Sequence, residues 1–150
     1  MKKFFTILAA LLAMALLGIG FVSCSDDDKE DSSGSSSLAT FKTEKDKSGM
    51  YSTFKFFSDN TWAETSSDSS ATYTMLEGTY SGNPKSDGDI SATITKVSTL
   101  LVDENATEAK LIDANSDEAA TFRSEWGNLT GTISISNEKF TFANQTFYKE

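Results

Sequence analysis

The sequence contains no histidine, and Cys24 is its only cysteine. Without histidine there is no Ser-His or Cys-His catalysis, no His-ligated zinc and no imidazole proton shuttle. A single cysteine makes neither a disulfide framework nor a thiolate metal cluster. Basic residues are scarce as well: 13 Lys and Arg face 22 Asp and Glu, a formal net charge of −9. Setting aside Lys2 and Lys3 at the extreme N-terminus leaves 11 basic residues and a charge of about −11. An acidic surface of that size repels phosphate backbones, which argues against nucleic acid as a partner. The 150 residues allow one domain and little more.

What is present begins with an address. Lys2 and Lys3 form a short positive region, and residues 4–20 then run without a charge, with Thr6 as the only polar side chain. Phe21-Val22-Ser23-Cys24 follows, and then Ser25-Asp26-Asp27-Asp28. A positive start, an apolar run and a small residue before the cut mark a secretory signal. Here the residue after the cut is cysteine. The segment resembles a bacterial lipobox, Leu-[Ala/Ser/Val]-[Gly/Ala/Ser]-Cys, matched by Val22, Ser23 and Cys24, with Phe21 where leucine is usual. That resemblance implies diacylglycerol transfer to the Cys24 thiol, cleavage before Cys24 and acylation of the new amine, palmitate being a typical chain. Two or three acyl chains anchor stably, at roughly 0.8 kcal/mol per buried CH₂. The competing readings are an uncleaved transmembrane helix over residues 4–22, close to the roughly 20 residues a bilayer needs, and an ordinary signal peptide with a chance cysteine. The lone cysteine at the one position that uses it favours the lipoprotein. Residues 1–23 are thus expected to be signal peptide and Cys24 the lipidated N-terminus, at a bacterial outer membrane and facing either the periplasm or the exterior of the cell envelope.

Residues 24–37 read as the lipidated cysteine and a tether. Asp26, Asp27, Asp28, Glu30 and Asp31 are followed by a Ser/Gly run over residues 32–37, with no apolar surface to offset the entropy of ordering it. A coil of that length holds a domain roughly 20 Å from its anchor. An acidic stretch behind the lipid-bearing cysteine resembles export signals of some Bacteroidetes lipoproteins. A plain solvated spacer explains it equally well.

Residues 38–150 read as short strands. Period-2 alternation of β-branched and aromatic residues between Gly, Asn, Asp and Ser clusters is the signal. It is met at 51–57, 61–65, 71–75, 77–80, 89–97, 129–136, 139–143 and 145–149, with turns at 58–60, 137–138 and 144. In the last hairpins Ile133, Ile135, Phe140 and Phe142 are expected inside, and Thr132, Ser134 and Thr141 outside. The stretch 98–127 is ambiguous: residues 109–113 offer a strand, and Ser116-Asp117-Glu118 offers either the cap of a short helix or the approach to a strand through Phe122. The fold class is all-β, an antiparallel up-and-down barrel or a sandwich.

Several of these strands carry a resemblance. Phe56-Phe57-Ser58-Asp59-Asn60-Thr61-Trp62 resembles the F-x-x-D-G-T-W hairpin of small lipocalin-like bacterial lipoproteins of the spirochaete and Bacteroidetes type, with Asn60 where glycine is commoner. Residues 77–82 are similar to their G-x-Y strand, and residues 87–95 to the D-G-x-I-x-x-T-I-T strand after it. Residues 131–149 resemble the family's closing G-x-I to F-x-K strands. Each motif is a strand-and-turn pattern, so the resemblance implies a fold and no catalytic residue.

Candidate chemistry is sparse. Phe54, Phe56, Trp62, Tyr73, Tyr80, Phe140 and Phe142 are the candidate lining of a ligand cavity, the alternative being a packed core. Asp113-Ala114-Asn115-Ser116-Asp117 has the spacing that opens a calcium loop, but Glu118 stands where its glycine belongs and Ser124 where its closing glutamate belongs. Metals and cofactors are therefore not expected. Asn105, Asn128 and Asn144 head glycosylation triplets that a Ser/Thr/Asn-rich chain produces by chance. Glu64, Glu77, Asp103, Glu104 and Glu125 are expected to be surface charges, no two of them placed together by the sequence. With no histidine, free cysteine or recognisable nucleophile, an enzyme is not expected. The expected function is a membrane-anchored β-barrel that binds a small apolar ligand or a partner protein. Its rival is a surface-interaction protein with a filled core, meeting its partner through the loops 82–88 and 98–108.

Overall fold

The computed structural model describes residues 35–150. The expected signal peptide, Cys24 and most of the expected tether lie outside the described residues. The elements are β1 (Ser37–Lys42), β2 (Tyr51–Phe57), β3 (Thr61–Ser67), β4 (Thr72–Ser81), β5 (Gly88–Ser98), α1 (Thr99–Val102), β6 (Leu111–Asp113), α2 (Ala120–Trp126), β7 (Thr130–Ile135), β8 (Lys139–Phe142) and β9 (Gln145–Lys149). The strands form one antiparallel sheet in the order β6-β5-β4-β3-β2-β1-β9-β8, with β7 beside β6 on the same edge of β5. The sheet curls into a half-barrel. Its two ends touch at one bridge, Ser136 with Lys139, across the β7–β8 turn.

Local chemistry sets the hairpins. Asp59 turns the chain between β2 and β3 by accepting hydrogen bonds from the Thr61 amide and hydroxyl at 3.1 and 2.6 Å. Asn60 takes the left-handed conformation there, at φ 64°, which asparagine tolerates better than most residues. Asp68 does the same for β3–β4 by accepting from Ser70 and Ala71 amides. Asn137-Glu138 and Ala143-Asn144 all have φ between 48° and 63°, the mirror-image turn that suits two-residue hairpins. β-Bulges at Ser37/Ala39, Glu64/Thr65 and Glu77/Gly78 add local twist and help the sheet to curl.

The expected inside–outside register of the closing strands holds: Ile133, Ile135 and Phe140 are buried, Phe142 is half-buried, and Thr132, Ser134 and Thr141 are exposed. Residues 71–75 and 77–80 are one bulged strand rather than two. Structure begins earlier than the alternation suggests: β1 starts at Ser37, ahead of the strand expected at residue 51. Of the expected 98–108 surface loop, residues 103–108 are loop and mostly exposed, and the first part is not. Its first turn is α1, with Ser98 fully buried and accepting from the Leu100 amide, and with Leu101 packed into the core. The segment through Phe122 is helix, not strand. Arg123 of α2 reaches back to the carbonyls of Ala114 and Ser116, fastening the helix to the turn that leads into it.

Candidate functional site

The aromatic side chains of the inner face pack into a solid cluster at one end of the half-barrel. Phe54 stacks on Trp62 at 4.7 Å and meets Phe140 edge-on at 5.3 Å; Phe140 stacks on Phe147 at 5.1 Å, and Phe56 meets Tyr80 at 5.0 Å. The polar tips are satisfied, with Trp62 Nε1 donating to the Thr79 carbonyl and the Tyr80 hydroxyl to the Phe57 carbonyl. Gly78 is what lets the Trp62 ring lie flat against β4. A Cβ there would fall 2.6 Å from the ring and 2.0 Å from the Thr93 carbonyl oxygen.

Toward the other end the same inner face changes character. Along β2 it runs Phe56, Phe54, Ser52; along β3 it runs Trp62, Glu64, Ser66. The large rings stop, and a cavity of about 390 Å³ opens. Its apolar wall comes from Met75 and Leu76 on β4, Leu101 on α1, Trp126 on α2, Phe142 on β8 and Phe147 on β9. Ser52, Glu64 and Ser66 form its polar side, with Glu125, Thr141 and the β8–β9 turn at the rim. Trp126 ties helix to hairpin, stacked on Phe122 at 5.3 Å and tilted against Phe142 at 5.6 Å.

Glu64 is fixed by its register. It sits across from Phe54 on β2 and Leu76 on β4, so period-2 geometry leaves it facing inward. Burial pushes its carboxyl up to about 7, an effect the hydrogen bond with Ser52 only partly offsets. Among the described residues no lysine or arginine lines the cavity. Lys42 pairs with Glu150 at 2.7 Å and Lys96 with Glu77 at 3.1 Å, both away from the cavity walls.

Of the seven candidate lining aromatics, Phe54, Phe56, Trp62, Tyr80 and Phe140 are buried in the solid cluster, and Phe142 alone borders the cavity. Tyr73 is not interior. It lies opposite Ser66 at the start of β4, past the end of the packed rings, and is 42% exposed. Of the five carboxylates expected on the surface, Glu77, Asp103 and Glu104 are there, Glu77 bonded to Lys96 and Asp103 to the Asn105 amide. Glu125 is exposed as well, at the cavity rim, and Glu64 alone of the five turns inward. The signal for Glu64 was available: it is two residues from Trp62, hence on the same face of a strand already identified. Asp113 of the calcium-like segment accepts from the Asn115 amide at 2.7 Å and from the Ser116 amide and hydroxyl, shaping the turn into α2. Among the described residues no group of three or more metal-ligating side chains converges, and no helix is long and apolar enough to cross a membrane.

Comparison with known proteins found no match: no family model fits the chain, and no curated protein or solved structure is significantly similar to it.

Proposed function

We propose that the protein is a lipid-anchored small-molecule binding module of the bacterial cell envelope. It is tethered through diacylated Cys24 by the acidic, serine-rich segment and takes an apolar or amphipathic ligand into the β-barrel cavity. The observation that carries this reading is the cavity of about 390 Å³ with a predominantly apolar wall and a few convergent polar groups. Its volume falls in the roughly 300–1,000 Å³ range of ordinary ligand sites. The N-terminal sequence supports the anchor, and the fold supports the pocket.

The test is native mass spectrometry of the full-length protein recovered from bacterial membranes. The expected spectrum shows a mature chain beginning at a lipid-modified Cys24, together with a population carrying a co-purifying small molecule. An intact Met1 or an unmodified Cys24 overturns the anchor. An apo protein that takes up no member of a broad library of amphipathic compounds overturns the pocket. The latter result favours the rival reading, a surface-interaction protein, for which the solid cluster around Phe54, Trp62 and Phe140 already supplies the stable core.

A further inference from the structure

Glu64 is a poor residue for holding this fold together. A carboxyl facing an apolar cavity loses hydration, and that loss is repaid only by a paired cation or several hydrogen bonds. Glu64 has Ser52 as its hydrogen-bond partner and no cation. The elements around it supply none either. β4 presents Met75 and Leu76, α1 presents Leu101, the β8–β9 hairpin presents Thr141, Asn144 and Gln145, and the one other titratable group that lines the cavity among the described residues, Glu125 of α2, has the same sign. The chain as a whole is at −9. The cavity therefore presents one inward carboxylate near the aromatic cluster, a second at the rim, and apolar surface between.

We infer that the ligand is an amphipathic cation, a protonated amine on a short apolar or aromatic tail, with its ammonium on the Glu64 carboxylate and its tail against Leu76, Leu101, Trp126 and Phe147. This deepens the proposed pocket reading and rests on it. The ammonium supplies the missing countercharge through a charge-assisted hydrogen bond, which is shorter and stronger than a neutral one. The Trp126 and Phe142 rings at the cavity edge offer flat faces to an aromatic tail. An anionic head group meets two carboxylates and no cation, so fatty acids and phosphate esters are selected against. At roughly 30 Å³ per water-sized group, 390 Å³ holds about a dozen such groups, which sets the size of the tail.

The test compares three probes with the same phenylbutyl tail: 4-phenylbutylamine, 4-phenylbutanol and 5-phenylpentanoate. Each is titrated calorimetrically into the full-length protein in zwitterionic lipid nanodiscs, with empty nanodiscs subtracted. At about pH 8 the amine is expected to bind about tenfold or more tighter than the alcohol, and the carboxylate weakest. Lowering the pH to about 5.5 protonates Glu64 and removes most of the amine's advantage. Glu64→Gln brings the amine down to the alcohol's affinity and leaves the alcohol within about twofold. This variant removes an unpaired charge from the interior, so it is expected to keep the fold, and the wild-type pH series tests the same point without it. Equal binding of amine and alcohol, tightest binding of the carboxylate, or an amine preference that survives Glu64→Gln overturns the cation while leaving the pocket standing. No binding of any of the three probes overturns the pocket, and the cation with it.

Discussion

Replacing Glu64 with Gln should make the protein more stable at neutral pH and leave it unchanged in acid. The folded chain holds the Glu64 proton up to about pH 7, against an ordinary value of 4.5, because burial disfavours the charged form. The native state thus binds more protons than the unfolded state across that window, so stability declines as the pH rises from 4.5 to about 7 and is level above it. At about 1.4 kcal/mol per pH unit the full displacement is worth roughly 3 kcal/mol. Glu64 is half-buried and its remaining exposure is toward the cavity, so water trims the effect to about 2 kcal/mol. Gln keeps the shape and the bond to Ser52 without the charge. The difference in unfolding free energy between Glu64→Gln and the wild type is expected to rise from near zero at about pH 4 to about 2 kcal/mol at about pH 8. Urea denaturation at a series of pH values, followed by tryptophan fluorescence, measures it. Taking the difference between variants cancels the other acids. Among those, Asp46, Asp59 and Asp68 are held below their usual range by hydrogen bonds from Ser48, Thr61 and Ser70, and act at lower pH. A difference that does not change with pH, or a variant less stable than the wild type at neutral pH, refutes the inward, unpaired placement of Glu64.

Two further predictions concern the sheet. Phe140→Ala removes a buried ring in contact with Phe41, Phe54 and Phe147 and should cost about 3–5 kcal/mol. Its exposed neighbour Thr141→Ala should cost well under about 1 kcal/mol, with half-buried Phe142→Ala in between; equal losses in urea melts contradict the register of the closing hairpin. Gly78→Ala drives a methyl group into the Trp62 ring and the Thr93 carbonyl, so it should lower stability by about 3 kcal/mol or more and shift the Trp62 fluorescence; a neutral effect means that β4 and β5 lie farther apart than the structure has them.

The regular strands were legible because each carries its own alternation. Ile90, Ala92 and Ile94 mark β5, and Ile133 and Ile135 mark β7, whatever surrounds them. The elements that escaped are those whose reasons lie elsewhere in the chain. β1 has only Ala39 and Phe41 as buried residues, and a polar serine run precedes it. Its place is fixed by strands 10 and 100 residues away. The helix α1 is a four-residue turn held by Ser98 and Leu101, too short for any periodicity. The lining of the expected cavity escaped for a different reason. Large aromatics attract attention as ligand-lining residues, yet here they fill the space, and a pocket exists where smaller residues take their positions. Ser52, Glu64 and Ser66 continue the inner faces of β2 and β3, and the alternation that placed Phe54 and Trp62 inside places them inside too. The charge of Glu64 suggested the surface. Tyr73 was misjudged in the opposite direction, because alternation assigns a face but not how far along the strand the packed interior extends.

The pairing of β1 with β9 bears on how the chain reaches this structure. Phe41 and Lys42 meet Lys149 and Tyr148, the Glu150 amide donates to the Thr40 carbonyl, and the Lys42–Glu150 contact spans 108 positions. Strands β1 to β5 can zip together as successive hairpins while the polypeptide is still emerging. Until β9 arrives, however, β1 has one side unpaired, and Phe41 and Phe54 lack the rings of Phe140 and Phe147. Closing so long a loop is an entropic hurdle that no local contact lowers, which places folding in the slow, milliseconds-to-seconds regime of β-proteins. Through that interval the growing chain exposes a free strand edge beside a cluster of phenylalanines, a combination prone to aggregation. A chaperone that binds extended, aromatic-rich segments would act on residues 39–57 before the C-terminal hairpin is made.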